Sequence, residues 1–286
     1  MTTNAISERD AVDPARCWNG ALLDLDAYLA RIGHAGSLAP TPETLRALHR
    51  AHVAAIPFEN LDIALGRPVA VDLESIQDKL VRRPRGGYCY EQNLLLAAVL
   101  ERLGYSVTGL AARIRMGSDR LRPTTHALLM AEARDGAWLA DVGFGGEGLL
   151  EPIALSDGGE ARQGDWRFRL DRTAAEEWVL RSLHADGWFD LHAFTLAPWY
   201  SVDYAVVNHY TSTHPRSPFV GRIAVQRTGA DARHTLTGTE LTTAHPDGRS
   251  ESRNLAAEAL PETLRDVFGI SLDADDEAAL VRRARR

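Results

Sequence analysis

The stretch Arg85–Asn93, "RGGYCYEQN", decides how this chain is read. Gly86 and Gly87 stand just before Cys89. The run that follows, "LLLAAVLERLG" (94–104), is apolar almost all round, the pattern of a helix buried on every side, and Gly104 supplies its stop. Cys89 therefore falls in the first turn of a buried helix. A helix N-terminus carries partial positive charge and unpaired N–H groups. Those features stabilise a thiolate and can serve as an oxyanion hole. The glycine pair permits a tight turn and close approach of a substrate to the backbone. A small residue that merely starts a core helix has the same address. A nucleophile differs from it in having a base and an orienting carboxylate within reach.

Upstream of that stretch the periodicity is helical. "DLDAYLARIGH" (24–34) places Leu25, Tyr28 and Leu29 at helical spacing. "PTPETLRALHRAHVAAI" (40–56) has Thr41 as N-cap and Pro42 at the first helical position. "DLESIQDKLVRR" (72–83) is a third helix, capped by Asp72 and ended by Pro84. Residues 1–105 thus read as a helical domain that carries Cys89, with a polar leader at its start.

After Gly104 the period changes to that of strands. "YSVTGLAARIRM", "HALLMAEA", "AWLADVGF", "WRFRL", "EWVLRSLH" and "WFDLHAFTL" are separated by turn signals such as "RDG" and "ADG". Residues 106–200 are expected to form a twisted antiparallel sheet or a small barrel. A connector, 201–215, leads to an α/β unit over 216–286, with strands in "FVGRIAVQRT" and "HTLTGTELTTA" and helices in "PETLRDVFGI" and "DADDEAALVRRA". The fold class is α+β.

The bulk numbers bound the function. The chain has 286 residues, 45% hydrophobic and 25% charged, with a formal net charge of −7. That balance disfavours nucleic acid as a partner. No apolar run approaches the ~18 residues of a membrane span, and the N-terminus has no signal-peptide pattern. Two cysteines, Cys17 and Cys89, make no disulfide framework, which fits a reducing, cytoplasmic setting. There is no CxxC and no clustered His/Cys ligand set, so no metal is expected.

The base for Cys89 is sought among ten histidines. His126 begins an apolar strand. Asp141, on the next strand, follows Trp138, Leu139 and Ala140 and precedes Val142, so it is buried and needs a partner. Their contact depends on register. A two-residue turn at Asp135-Gly136 would put Asp141 opposite Met130, about 13 Å along the strand from His126. A four-residue loop, 132–135, would put His126 directly opposite Asp141, Cβ atoms about 5 Å apart. Catalysis calls for the second register or a bulge that produces it.

Five segments in order carry a family resemblance: "IPFENLD" (56–62), "RGGYCYEQN", "THALL" (125–129), "DVGFGG" (141–146) and "NHYTSTHPRSPF" (208–219). Together they resemble the arylamine N-acetyltransferase family, over nearly the whole chain from about residue 20. The resemblance implies a helical N-terminal domain, an antiparallel β-barrel and an α/β lid, with a papain-like Cys-His-Asp triad mapping onto Cys89, His126 and Asp141. Arg85 and Glu59 match a pair that holds the active-site loop, as structural support. The implied reaction is ping-pong transfer of an acetyl group from acetyl-CoA, a co-substrate and not a resident cofactor, to an arylamine or arylhydrazine. CoA contacts are implied at Phe144, Gly145 and Gly146, whose glycine-rich loop could offer N–H groups to a pyrophosphate. Tyr90, Thr125 and Thr213 are further contact candidates. The alternative within the superfamily is an amide synthase that uses the same triad to release a polyketide as a macrolactam. Papain-like hydrolysis or transglutamination, and a descendant that only binds ligand, are the other classes.

Overall fold

A computed structural model describes residues 18–285; Cys17 lies outside them. The helical part runs α1 (Leu25–Ile32), α2 (Pro42–Ala55), β1 (Phe58–Glu59), α3 (Leu61–Ala64), α4 (Leu73–Gln77) and α5 (Cys89–Arg102). Local chemistry starts these helices where the sequence reading puts them. Thr41 accepts a hydrogen bond from Thr44 N–H, and Pro42 takes the first turn of α2. Asp24 and Asp72 cap α1 and α4 in the same way. The predicted third helix loosens after Gln77 into a π-helical turn, Asp78–Arg82. From Cys89 to Leu100 every residue of α5 is buried. Truncating any one of its leucines to alanine costs about 2–5 kcal/mol.

The middle of the chain is all strand: β2 (Ser106–Ile114), β3 (Thr124–Ala133), β4 (Gly136–Ala140), β5 (Ile153–Ala154), β6 (Gly159–Gln163), β7 (Trp166–Arg172), β8 (Trp178–His184) and β9 (Gly187–Phe194). They form one antiparallel sheet in the order β5-β4-β3-β2-β9-β8-β7-β6, curled into a nearly closed barrel. The Gln163 side chain helps to bridge the two edges. Its oxygen accepts from the N–H groups of Leu150 and Glu151, and its amide donates to the Glu151 carbonyl. Leu110, Leu128, Leu139, Phe168, Leu180 and Leu191 fill the barrel, while Ala127, Leu129 and Ala131 join the core around α5.

Then come α6 (Ser201–Thr213), β10 (Ala224–Thr228), β11 (Arg233–Thr237), β12 (Glu240–Ala244), β13 (Ser250–Asn254), α7 (Leu260–Phe268) and α8 (Ala274–Ala284). A second antiparallel sheet has the order β1-β10-β11-β12-β13. The architecture is α+β, with helices, a barrel and an α/β lid. No helix among the described residues is long and apolar enough to cross a membrane.

Three features differ from the sequence reading. The stretch taken as a connector is a helix, α6. The strand β1, inside "IPFENLD", pairs with β10 and so ties the helical part to the lid sheet; two residues are too few to show a period. Neither expected β3–β4 register occurs. Ala133 pairs with Gly136 around an Arg134-Asp135 turn, and Leu129 pairs with Ala140. Continuing that ladder sets Asp141 against Leu128, two residues short of His126. All three registers differ by shifts that keep each side chain on its face, so hydrophobic patterning cannot choose among them. The turn chooses, with Asp135 Oδ1 accepting from Trp138 Nε1 at 2.9 Å.

Candidate active site

Cys89 is the first residue of α5, and Tyr88 is its N-cap. The Tyr88 N–H donates to Glu91 Oε2 at 3.1 Å, which satisfies one end group of the helix. The glycine pair has a different role from the one expected. Neither glycine is left-handed. A Cβ at Gly86 would run into the Pro57 carbonyl, and one at Gly87 would lie 2.8 Å from Glu91 Oε2. The close approach is made by the protein's own chain.

His126 reaches the site through a bulge. The β2–β3 pairing shifts between Ala112 and Arg113, which skips Thr125. The freed Thr125 carbonyl accepts from Tyr90 Oη at 2.8 Å and lies 3.9 Å from Cys89 Sγ. His126 Nε2 is 2.6 Å from Asp141 Oδ2. Diagonal neighbours on one face of a sheet are close enough for long side chains to meet, and this pair does so. The remaining ring nitrogen is Nδ1, and Cys89 lies near enough to the ring to favour its charged form. Cys89, His126 and Asp141 are all buried. Burial disfavours the imidazolium, but the adjacent Asp141 carboxylate, the hydrogen bond it accepts from the ring and the nearby Cys89 outweigh it and raise the His126 pKa. Burial likewise opposes the Asp141 charge, and His126 overcomes it, lowering the carboxyl pKa.

Asp141 is held from every side. Its Oδ1 accepts from Asn93 Nδ2 and from Gly143 N–H, each at 3.0 Å. Its own N–H donates to His49 Nε2 at 3.1 Å. His49 Nδ1 therefore carries the proton and donates it to the Leu150 carbonyl at 3.0 Å. Burial pushes the His49 pKa down to about 4, so the ring is neutral. Asn93 lies one helical turn after Cys89, a spacing that puts both on one face of α5. That signal was legible in "CYEQN". His49 gave none. A Cβ at Gly143 would lie 2.6 Å from Cys89 Cα, so this position admits only glycine beside the nucleophile.

Arg85 and Glu59 do pair, Nε to Oε1 at 2.8 Å. They belong to a larger buried network than the sequence suggested. Lys79 Nζ lies 2.6 Å from Asp62 and 2.7 Å from Glu91, and Arg85 also reaches Asp62 at 3.3 Å. Burial pushes Glu91 up to about 7 against the pull of Lys79.

Around the opening, the half-buried Phe144 ring meets His126 edge-on, centroids 5.2 Å apart. Gly145 is left-handed, φ 87°. The "GFGG" loop is pinned to β10. Gly146 N–H donates to Gln226 Oε1, and Thr228 Oγ1 donates to the Gly145 and Gly146 carbonyls. Phe58, Asp141, Phe144, Gly145 and Gln226 line a common cavity there. Two contact candidates have their hydroxyls engaged within the protein. Tyr90 is 1% exposed with its hydroxyl committed to Thr125. Thr213 ends α6 and donates to the His209 carbonyl of its own helix. The half-buried Thr125 contributes its carbonyl, as described.

One neighbour escaped the sequence reading. His192, on β9, is fully buried, its ring 5.3 Å from that of His126 and 5.1 Å from Phe144. Its Nε2 is 3.7 Å from Asp141 Oδ2, and neither ring nitrogen has a hydrogen-bond partner. His126, Asp141 and His192 offer one donor atom each, all within 4.8 Å of one another.

With this geometry in place, comparison with known proteins is decisive. Residues 41–277 match the N-acetyltransferase family. The arylamine N-acetyltransferase of Mycobacterium tuberculosis is 38% identical over 268 residues, 91% of this chain and 94% of that protein. The chain belongs to the arylamine N-acetyltransferase family. It is an acyltransferase by that membership. The crystal structure of the Nocardia farcinica arylamine N-acetyltransferase superposes with a TM-score of 0.90 at 50% identity, covering 96% of this chain and 99% of that one. The Mycobacterium marinum arylamine N-acetyltransferase, solved in complex with CoA, gives 0.86 at 37% identity, covering 91% and 98%.

Proposed function

We propose that this enzyme transfers an acetyl group from acetyl-CoA to an arylamine or arylhydrazine nitrogen, through an acetyl-cysteine at Cys89. The observation that carries the reading is the placement of His126. One ring nitrogen meets the Asp141 carboxylate, the ring lies close enough to Cys89 for the two to stabilise each other's charge, and that thiol begins a buried helix. An imidazolium held by a carboxylate is the counter-ion a thiolate nucleophile needs. The CoA complex of the M. marinum relative supports a CoA thioester as donor.

In the first half-reaction Cys89 Sγ attacks the thioester carbonyl, the carbon–sulfur bond to CoA breaks, and His126 gives its proton to the departing CoA sulfur. In the second, the acceptor nitrogen attacks the acetyl-cysteine. His126 takes the proton from that nitrogen, and the Cys89 sulfur leaves. Asp141 keeps the ring oriented and balances its charge throughout. Phe144 sets an aromatic ring edge-on beside His126, which suits an aromatic acceptor. Phe144, Gly145 and Gly146 remain the cofactor-side candidates, with the loop's carbonyls and the Gly146 N–H already engaged. Arg85 and Glu59 shape the turn that presents Cys89.

The test is a panel of arylamines and arylhydrazines with acetyl-, propionyl- and malonyl-CoA, read as free CoA thiol. The reading expects thiol release that depends on both acetyl-CoA and an aromatic nitrogen acceptor. Release that ignores the acceptor, or appears only with a carrier-protein-bound polyketide, would contradict it.

A further inference from the structure

His192 is left unexplained by acetyl transfer. A fully buried imidazole with both nitrogens unpartnered is uncommon, because a buried polar group without a partner costs about 1–3 kcal/mol. Its surroundings are the rings of His126, Phe144 and Phe194, and the polar atom it approaches is Asp141 Oδ2. Burial first, and the neighbouring His126 second, lower its pKa to about 3, so it is a neutral ring with a lone pair to offer.

Two imidazole nitrogens and a carboxylate oxygen are the donor set of three-ligand zinc sites with an open fourth position. Ligands of a tetrahedral zinc, at about 2.0–2.1 Å from the ion, stand about 3.3 Å apart. Here His192 Nε2 and Asp141 Oδ2 are 3.7 Å apart, and His126 Nε2 and Asp141 Oδ2 are 2.6 Å apart. Seating an ion would open the His126–Asp141 pair by roughly 0.7 Å and draw His192 in towards both.

We propose that His126, Asp141 and His192 form an inhibitory site for a divalent transition metal of the Zn2+ type. The ion takes the place of the proton between His126 Nε2 and Asp141. That proton is released to solvent, and the bonds formed are from His126 Nε2, Asp141 Oδ2 and His192 Nε2 to the metal. Cys89 is not a ligand, because its Sγ is not among the donor atoms that lie within 4.8 Å of one another. Binding removes His126 from the acid–base steps. The inhibition, though not the binding, rests on the acetyl-transfer reading.

Co2+ is the probe, because its spectrum reports both geometry and ligand type. Titrated into the metal-free enzyme, it should give the strong visible absorption of a four-coordinate ion without a sulfur-to-cobalt charge-transfer band. Activity should fall in step with that absorption. His192→Phe, whose ring suits the aromatic surroundings, and His192→Gln should each weaken cobalt binding by about 100-fold or more, since even outer partners of a metal site are worth 10–100-fold. A charge-transfer band would place Cys89 on the metal and overturn the proposal. So would a weak six-coordinate spectrum, or equal affinity in a folded His192 variant. If neither variant folds, the wild-type spectrum alone decides between nitrogen–oxygen and sulfur ligation. Strong nitrogen–oxygen binding that left acetyl transfer untouched would keep the site and sink the catalytic assignment of His126.

Discussion

Two buried ionic clusters flank Cys89, and they are built on opposite plans. On the barrel side, His126 and Asp141 form one pair around an imidazole that can give up and take back a proton. Under the glycine turn, Glu59, Asp62, Lys79, Arg85 and Glu91 form a network whose cations hold their charge, with Lys79 and Arg85 both raised by their carboxylate neighbours once burial is overcome. The first cluster is arranged to move a proton, the second to hold a turn and a helix start in place. Breaking each should therefore fail in a different way.

The largest effect belongs to the nucleophile. Cys89→Ala should lower acetyl transfer by at least about 10⁴-fold while the protein stays folded, since losing a covalent nucleophile removes the route itself. Next comes the orienting carboxylate. Asp141→Asn should cost about 10²–10⁴-fold in kcat, because the amide cannot balance the charge on His126. Wild-type turnover in a folded Asp141→Asn protein would erase the distinction between the two clusters.

Arg85→Met tests the other cluster. Removing one partner of a buried network should cost about 3–5 kcal/mol of stability, read by denaturant titration. Whatever fraction stays folded should still be acetylated at Cys89. A fully stable variant with no acetylation would move Arg85 from the scaffold into the chemistry.

A subtler difference lies in pH. The Asp141 pKa is lowered on folding, so its contribution to stability is complete above about pH 4 and lost as pH falls through the folded value. The His126 pKa is raised, so its contribution is complete below about pH 6.5 and lost as pH rises through the folded value. The stability gap between wild type and Asp141→Asn should be widest between about pH 4 and 6.5 and should narrow on both sides. A gap independent of pH would mean that the pair is held by packing and not by charge. The smallest effect is expected at Tyr90→Phe, which loses the hydrogen bond to Thr125 and about 0.5–1.5 kcal/mol, with transfer nearly intact.

The two clusters also differ in how far they could be read from sequence. Cys89 was legible because a helix start, a glycine pair and an apolar run coincide in twenty residues. His126 and Asp141 stood out as polar groups in apolar strands. Their register did not, because shifts by two residues leave every face unchanged and a turn of ordinary residues decides. The bulge at Thr125 has no mark in the sequence either. In the second cluster only Arg85 and Glu59 were foreseen. Lys79 and Asp62 look like solvated charges on helices, and nothing local announces that both are folded under a turn. His192 hid for a related reason: it is one polar residue in a strand, "WFDLHAFTL", that alternates anyway. The three-part architecture followed from the change of period after Gly104, while β1, β5, β6 and β13 escaped. The first two have two residues each, β6 is buried only at Gln163, and β13 is exposed throughout.

The central claim is that Cys89 carries the acetyl group between donor and acceptor. The direct measurement is intact mass and peptide mapping of the enzyme after brief exposure to acetyl-CoA without acceptor, followed by addition of an arylamine. The account predicts one acetyl group per chain, on the peptide containing Cys89, that disappears when the arylamine is added and the acetylated amine appears. Acetyl transfer at full rate with no acetylated Cys89 at any time would contradict it.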